Sequence, residues 1–251
     1  MPPVTPSSAQ ALVSTIQEAL QPMEQRLRQH AYLQALEEGR LTASQLRYFV
    51  GEQSYIIPSD LRSIALLISR CAAPASQQFF RAVLDGEAAA LEALEPLAGA
   101  VEMAPAARDA YEPTPGAQAY SAYLAWLCLY RSEAEVAAAL AVNFAAWGAN
   151  CGRMAQALRQ RFGWPEAAVR FFTQFATASA DVSPQALAVI EAGLARGVEG
   201  PHIVRAARML QGYELMFWDT LWGLRAPETE AGQPEGERGA PRGAEASITL
   251  L

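Results

Sequence analysis

A glutamate set into an apolar helical stripe is the first feature that could do chemistry. In VRAARMLQGYELMFWDTLW (204–222), Glu214 follows Leu210 by four residues and precedes Phe217, Trp218 and Leu221 by three, four and seven. Those offsets share one face of a helix. A carboxylate buried there must find donors, keep its proton, or meet a ligand that hydrogen-bonds to it. Two readings stay open: a structural Glu satisfied by a neighbouring Tyr or Arg, or an acid that grips a ligand or moves a proton in an aromatic pocket.

Two more helical patterns place a polar group among apolar neighbours. One carries Gln53, beside Glu52 and Tyr55, on a face with Leu46, Phe49, Val50, Ile56 and Ile57. The other carries Asn143 and Asn150, one heptad apart and flanking Ala146 and Trp147. Tyr48, Phe49, Tyr120, Tyr123, Trp147, Phe172, Phe175, Tyr213 and Trp218 are the aromatics available to line a shared space. Apolar walls with a few placed polar groups are how proteins hold small polar ligands, and aromatic stripes at helical spacing are also how they build plain cores.

Other chemistries find less support. Cys151 sits in Asn-Cys-Gly inside a helical pattern, without the strand-turn-helix setting of a nucleophile elbow. Activating its thiolate takes a cation or a His base, and Arg153 is the adjacent candidate; a buried inert thiol is the competing reading. His30 either ligates a haem iron from one side or caps and packs at a helix end. All 19 basic residues are Arg, so no lysine is present to form a Schiff base. With two His in the chain, a His-rich di-metal site cannot be assembled, and neither a metal nor a cofactor is expected. Net charge is −7 and no basic cluster interleaves with aromatics, which argues against nucleic acid as a partner.

Helices must position these groups. Apolar content of 51% supports a core, and Ala, Leu, Glu, Gln and Arg favour helix. Helical patterns run over about 8–38 (interrupted or bent by Pro22), 43–71 (kinked or broken by Pro58), 76–97, 105–111, 116–130, 132–161, 165–178, 184–197 and 201–223. Thr42, Ser132 and the pair Ser183-Pro184 read as helix starts. No strand and no internal repeat is visible, so the expectation is a single all-α domain of eight or nine helices over residues 8–225, after a flexible stretch at 1–7. The Pro-, Gly- and Glu-rich residues 226–251 carry −3 of the charge and read as a disordered tail. The apolar runs are too interrupted for a membrane span, and the first residues lack a secretory pattern. Three widely spaced cysteines fit free thiols in a reducing compartment, hence the cytoplasm.

The segment HAYLQALEEGRLTASQLRYFVGEQSYII (30–57) resembles the opening segment of the TenA (thiaminase II) family, and the likeness continues at 113–124, 132–158, 171–178 and 213–222. The resemblance implies a haem-oxygenase-like helical bundle and a place among aminopyrimidine hydrolases of thiamin salvage, the cofactor-synthesis oxidase PqqC and members called transcriptional regulators. By that likeness Glu214 matches the acid/base that acts on the pyrimidine. The pyrimidine-gripping aspartate falls on Gln53, or on Glu52 after a one-residue slip. A pocket tyrosine matches Tyr120, and further ones fall on Ile56 and Phe175. The nucleophilic cysteine falls on Asn143, or on Phe144 with one insertion, and neither side chain can form a covalent intermediate. The His residues of the family's haem, PqqC-like and di-iron chemistries are missing.

These readings converge on a divergent TenA-like enzyme acting on a small heteroaromatic. In it Glu214 is the acid/base, and Gln53, Glu52, Tyr120, Asn143, Trp147, Phe175 and Trp218 line the pocket. The alternative is a non-catalytic ligand-binding or regulatory protein on the same fold, for which the missing nucleophile argues. The family likeness further implies a homodimer or homotetramer.

Overall fold

Thr42 and Ser132 set two of the longest helices by the same device. The Thr42 hydroxyl accepts from the Gln45 amide at 3.2 Å while the Gln45 side chain accepts from the Thr42 amide at 2.8 Å. Ser132 and Glu135 repeat the exchange at 3.3 and 2.9 Å. Each capping box satisfies two amides that a helix start leaves unpaired. In the computed structural model, which describes residues 8–176 and 182–224, these caps open α3 (Ala43–Arg70) and α7 (Glu133–Phe162). Around them lie α1 (Ser8–Arg28), α2 (Ala31–Glu37), α4 (Pro74–Ala100), α5 (Pro105–Asp109), α6 (Pro115–Tyr130), α8 (Glu166–Ala176), α9 (Pro184–Ala195) and α10 (Gly200–Gly223). Among the described residues there are ten helices and no strand.

Several expected boundaries shift. α1 continues through Pro22 and α3 through Pro58, so neither proline breaks its helix. A proline removes one amide donor, and burial of Val13, Ile16 and Leu20 before Pro22 and of Ile56, Ile57 and Asp60 around Pro58 holds each helix together across that loss. The expected first helix is instead split at Gln29–His30, where the His30 Nδ1 accepts from the Tyr32 amide and starts α2. The expected stretches 1–7, 177–178 and 225–251 lie outside the described residues.

α7 is the central rod. Ala134, Val136, Ala137, Ala138 and Ala139 are all buried, and small side chains let neighbours approach closely. α9 comes close, since a Cβ on Gly193 would stand 2.3 Å from the Ala134 Cβ, so Gly193 has no room to be anything larger. α7 ends at Gly163 in the left-handed region at φ 64°, the usual glycine stop.

α10 packs on α7 and α6, α3 packs on α4 and α6, and α8 bridges α7 and α4. Two apolar clusters result. One is aromatic, built on Phe49, Phe171, Phe172, Phe217 and Trp218. The other is aliphatic and Ala-rich, built on the first half of α7 with Ile64, Phe80, Leu124 and Leu210. The site forms where the two meet. No described helix is long and apolar enough to cross a membrane.

Candidate functional site

α10 brings Glu214 to 2% exposure, and two donors reach its carboxylate. The Asn143 side-chain amide donates to Oε2 at 2.5 Å and the Trp218 indole N–H to Oε1 at 3.2 Å. Among the described residues no Arg contacts it, and its donors are the neutral Asn143 and Trp218. Burial pushes the Glu214 carboxyl up to about 8, and the Trp218 and Asn143 hydrogen bonds pull against that only in part. At neutral pH Glu214 therefore holds a proton that it can donate.

Asn143, at 3% exposure on α7, is the hub of the network. Its amide also donates to the Gln211 Oε1 at 2.8 Å, and its Oδ1 accepts from the Tyr120 hydroxyl at 2.9 Å. Both amide hydrogens are thereby used, so Asn143 positions Glu214 and Tyr120. The Tyr120 phenol is held well above its ordinary range by burial first, then by the charges of Asp60, Glu214 and Glu87. It stays a neutral donor.

These groups line a cavity of ≈ 50 Å³. Its polar wall is Gln53, Asp60, Glu87, Tyr120, Asn143 and Glu214, and its apolar wall includes Ile56, Ile57, Phe144, Trp147, Phe175 and Phe217. A cavity of roughly 150 Å³ takes a benzene ring, and about 10–15 Å³ takes a water. The chamber as it stands fits a few waters or a slender group. Glu87, Phe144 and Phe175 also border a second, outer hollow of ≈ 430 Å³ between α4, α7, α8 and the start of α9, so they form the partition between the two spaces.

Of the expected site residues, Glu214, Gln53, Tyr120, Asn143, Trp147 and Phe175 stand together on this wall. Trp218 lies behind it, fully buried, as a donor to Glu214. Glu52 does not reach it. Its carboxylate accepts from the Tyr111 hydroxyl, the Thr114 amide and hydroxyl and the Gln118 amide, at 2.9, 2.9, 2.7 and 2.6 Å. Adjacent residues on a helix point about 100° apart, so Gln53 faces the cavity and Glu52 ties down the turn before α6. Asn150 also faces away, donating to the Leu27 carbonyl at 3.4 Å. Of the two asparagines only Asn143 belongs to the site.

His30 spends both ring nitrogens, one on the Tyr32 amide and one on Asp219 at 3.0 Å. Its role is the helix-capping one. Cys71, Cys128 and Cys151 are free and buried, and none is on the cavity wall. Burial and the Glu214 charge hold the Cys151 thiol well above its ordinary range, which makes it a poor nucleophile.

Two acidic wall residues, Asp60 and Glu87, were not among the expected ones. Asp60 lies seven positions after Gln53, on the same face of α3, and that spacing was a readable signal. It accepts a short hydrogen bond from Ser121. Glu87, partly buried on α4, sits in GEAAALEALE, whose alternation of Glu and Ala reads as a solvent face. Nothing local distinguishes it from Glu92 or Glu95. Burial raises both acids, and the Asp60 charge raises Glu87 further.

Solved structures carry the same fold. A TenA homologue from Pseudomonas syringae pv. tomato superposes with a TM-score of 0.73 at 13% identity, over 85% of this chain and 93% of that one. A TenA homologue from Pyrococcus furiosus gives 0.66 at 17%, over 84% and 99%. A domain with a heme oxygenase-like fold from Shewanella denitrificans gives 0.68 at 11%, over 84% and 92%. At such identities the likeness speaks for the heme oxygenase-like fold alone. A comparison with curated proteins returns no match. The TENA/THI-4/PQQC family model matches residues 17–224, from α1 to the end of α10, and the chain belongs to that family.

Proposed function

We propose that the cavity binds a small nitrogen heterocycle of the aminopyrimidine kind, in or near thiamin-pyrimidine salvage, with Glu214 as the proton donor and acceptor. The observation that carries this reading is a buried acid, raised to about 8, held by Asn143 and Trp218 on the wall of a cavity. A protonated carboxyl donates to a ring nitrogen of ordinary basicity, and the carboxylate left behind pairs with the ring cation. Gln53 and Tyr120 supply further polar contacts, while Trp147 and Phe175 offer aromatic faces. A ring needs more room than the inner chamber has, so binding also draws on the outer hollow through movement of Phe144 or Phe175.

The family likeness puts the nucleophilic thiol on Asn143, or on Phe144 with one insertion, and a phenyl ring is no nucleophile. An amide with both hydrogens committed forms no covalent intermediate. Any hydrolysis on this wall has water displace the ring's substituent directly. The new C–O bond replaces the bond to that substituent, which leaves with a proton, and Glu214, having protonated the ring, takes a proton back from the water. Thiamin itself turns over slowly or not at all.

The second reading, a ligand-binding or regulatory protein without turnover, is supported by the same missing thiol and by the narrowness of the chamber that Phe144, Trp147 and Phe175 border. Work in the cytoplasm, where three free thiols stay reduced, and assembly as a homodimer or homotetramer complete the proposal. The test is a thermal-shift and turnover series with thiamin, 4-aminopyrimidine and their substituted relatives. A ligand bound by the folded chain alone raises its melting temperature. A shift with 4-aminopyrimidines that Glu214→Gln abolishes supports the site; product formation separates the enzyme from the binder. No shift with any ring sinks both.

A further inference from the structure

Glu214 faces inward from α10, and the outward face of that helix and of α6 beside it is left without a role. Four of the six large apolar side chains exposed among the described residues lie there: Trp126, Leu129 and Tyr130 on α6 and Met216 on α10. The two helices run antiparallel, with Gly116 against Thr220, Tyr123 against Tyr213 and Leu127 beside Ala206. A row of rings crosses from one to the other. Tyr130, Trp126, Tyr123 and Tyr213 follow one another with centroids 6.1, 5.5 and 5.0 Å apart, and the Arg131 guanidinium lies 4.5 Å over Trp126. Single apolar residues on a surface are ordinary, but a joined patch marks a place where another molecule packs. Tyr, Trp, Met and Arg are the residues that interfaces enrich.

Gly212 sits in the middle of this face. A glycine inside a helix weakens it relative to alanine, and a Cβ here would meet nothing within 4 Å, so packing within the described chain does not require the glycine. What a bare backbone permits is the close approach of another one. Arg205 stands seven residues before Gly212 and Asp219 seven after, so the three share one stripe about two turns apart. Both charges are exposed. Arg205 has no ion pair among the described residues, and Asp219 keeps lone pairs beside its contact with His30 at 3.0 Å.

We infer that the α6–α10 face packs against the same face of a second copy of this chain, with the two α10 helices crossing antiparallel at Gly212. The inference rests on the proposed homo-oligomer and names the surface that would build it. A twofold axis at Gly212 lays Arg205 of each copy on Asp219 of the other, so the stripe is complementary to itself. A partner of uniform charge would meet like charge at one end of that stripe. The rings and Met216 flank the crossing, where a second copy takes their apolar surface out of water. Gln211 and Glu214 point inward from the same turns of α10, so the second copy backs the helix that carries the acid.

Sedimentation equilibrium of the full chain and its variants tests this, with circular dichroism as the check of folding. The wild type should self-associate. Gly212→Ala should weaken association about tenfold or more while raising the melting temperature of the dissociated chain, because the added methyl favours helix and blocks the crossing. Arg205→Asp and Asp219→Arg should each weaken association alone and should pair with each other when mixed, since only the mixed pair restores both ion pairs. Folded variants that do not pair on mixing overturn the antiparallel register. Should Asp219→Arg fail to fold, Gly212→Ala and Arg205→Asp decide the matter. Oligomers that neither change weakens leave the proposed assembly standing and overturn this face alone. A wild-type chain that stays monomeric overturns both. If Met216 in that monomer also resists hydrogen peroxide, the face is covered by the chain's own residues 225–251 instead.

Discussion

Glu52 on α3 and Glu214 on α10 are equally removed from solvent, at 0% and 2% exposure, and their surroundings are opposite. Glu52 receives four hydrogen bonds from Tyr111, Thr114 and Gln118, which hold the turn between α5 and α6 against α3. Glu214 receives two and borders empty space. A carboxylate whose lone pairs are all engaged is a structural anchor. One with too few donors and a cavity in front of it keeps a proton, and that proton is available to a ligand.

The largest expected effect comes from breaking the anchor. Glu52→Ala leaves four donors facing a hole and should cost about 3 kcal/mol or more. Denaturant unfolding reads this directly, and a loss under about 1 kcal/mol would erase the contrast with Glu214.

The next effect is a pH slope. The Glu214 carboxyl, raised from 4.5 to about 8, is protonated in both the folded and unfolded chain at low pH, where it contributes nothing. Between those values the unfolded chain ionises and the folded chain keeps its proton, so stability falls as pH rises. Each unit of that window is worth about 1.4 kcal/mol at most. Glu214→Gln removes this part of the slope, so the variant should gain on the wild type by about 2 kcal/mol or more between pH 5 and pH 8. The comparison of slopes is cleaner than a single midpoint, because Gln offers one acceptor oxygen to the two donors Asn143 and Trp218. Parallel curves would show that Glu214 does not titrate in this range.

A smaller effect tests the role in binding. At pH 7, Glu214→Gln should weaken binding of a 4-aminopyrimidine about tenfold, or about 1.4 kcal/mol, because the donated proton is gone. Unchanged titration heats and affinity would return Glu214 to structure, beside Glu52.

The smallest effect is expected at the thiol. Cys151→Ala should leave ligand affinity within about twofold, since Cys151 is off the wall and holds its proton well past neutrality. Native protein at pH 8 should resist iodoacetamide at Cys151 while the unfolded chain reacts. Turnover abolished by Cys151→Ala would place the chemistry elsewhere on α7.

Helical periodicity was enough to read the all-α fold, because a stripe such as Leu210–Glu214–Phe217–Leu221 repeats every turn whatever it packs against. Gln53, Asn143 and Glu214 were legible for the same reason: each interrupts an apolar face, and burying a polar group is costly enough to mark it, whereas Tyr120 was picked out by the family likeness. Whether Pro22 and Pro58 end their helices was not decided locally: both helices continue, because packing along the rest of each outweighs one lost hydrogen bond. The choice between Gln53 and Glu52 was likewise beyond the sequence, because both are buried, and only the arrival of Tyr111, Thr114 and Gln118 from distant segments separates them. Glu87 belonged to the tertiary structure entirely. Its own helix reads as a solvent face, and it becomes a wall residue because α4 packs on α3 with Asp60 opposite. Sequence determines what each face can bury; which faces meet, and therefore which acids share a cavity, is set by packing between helices that are far apart along the chain.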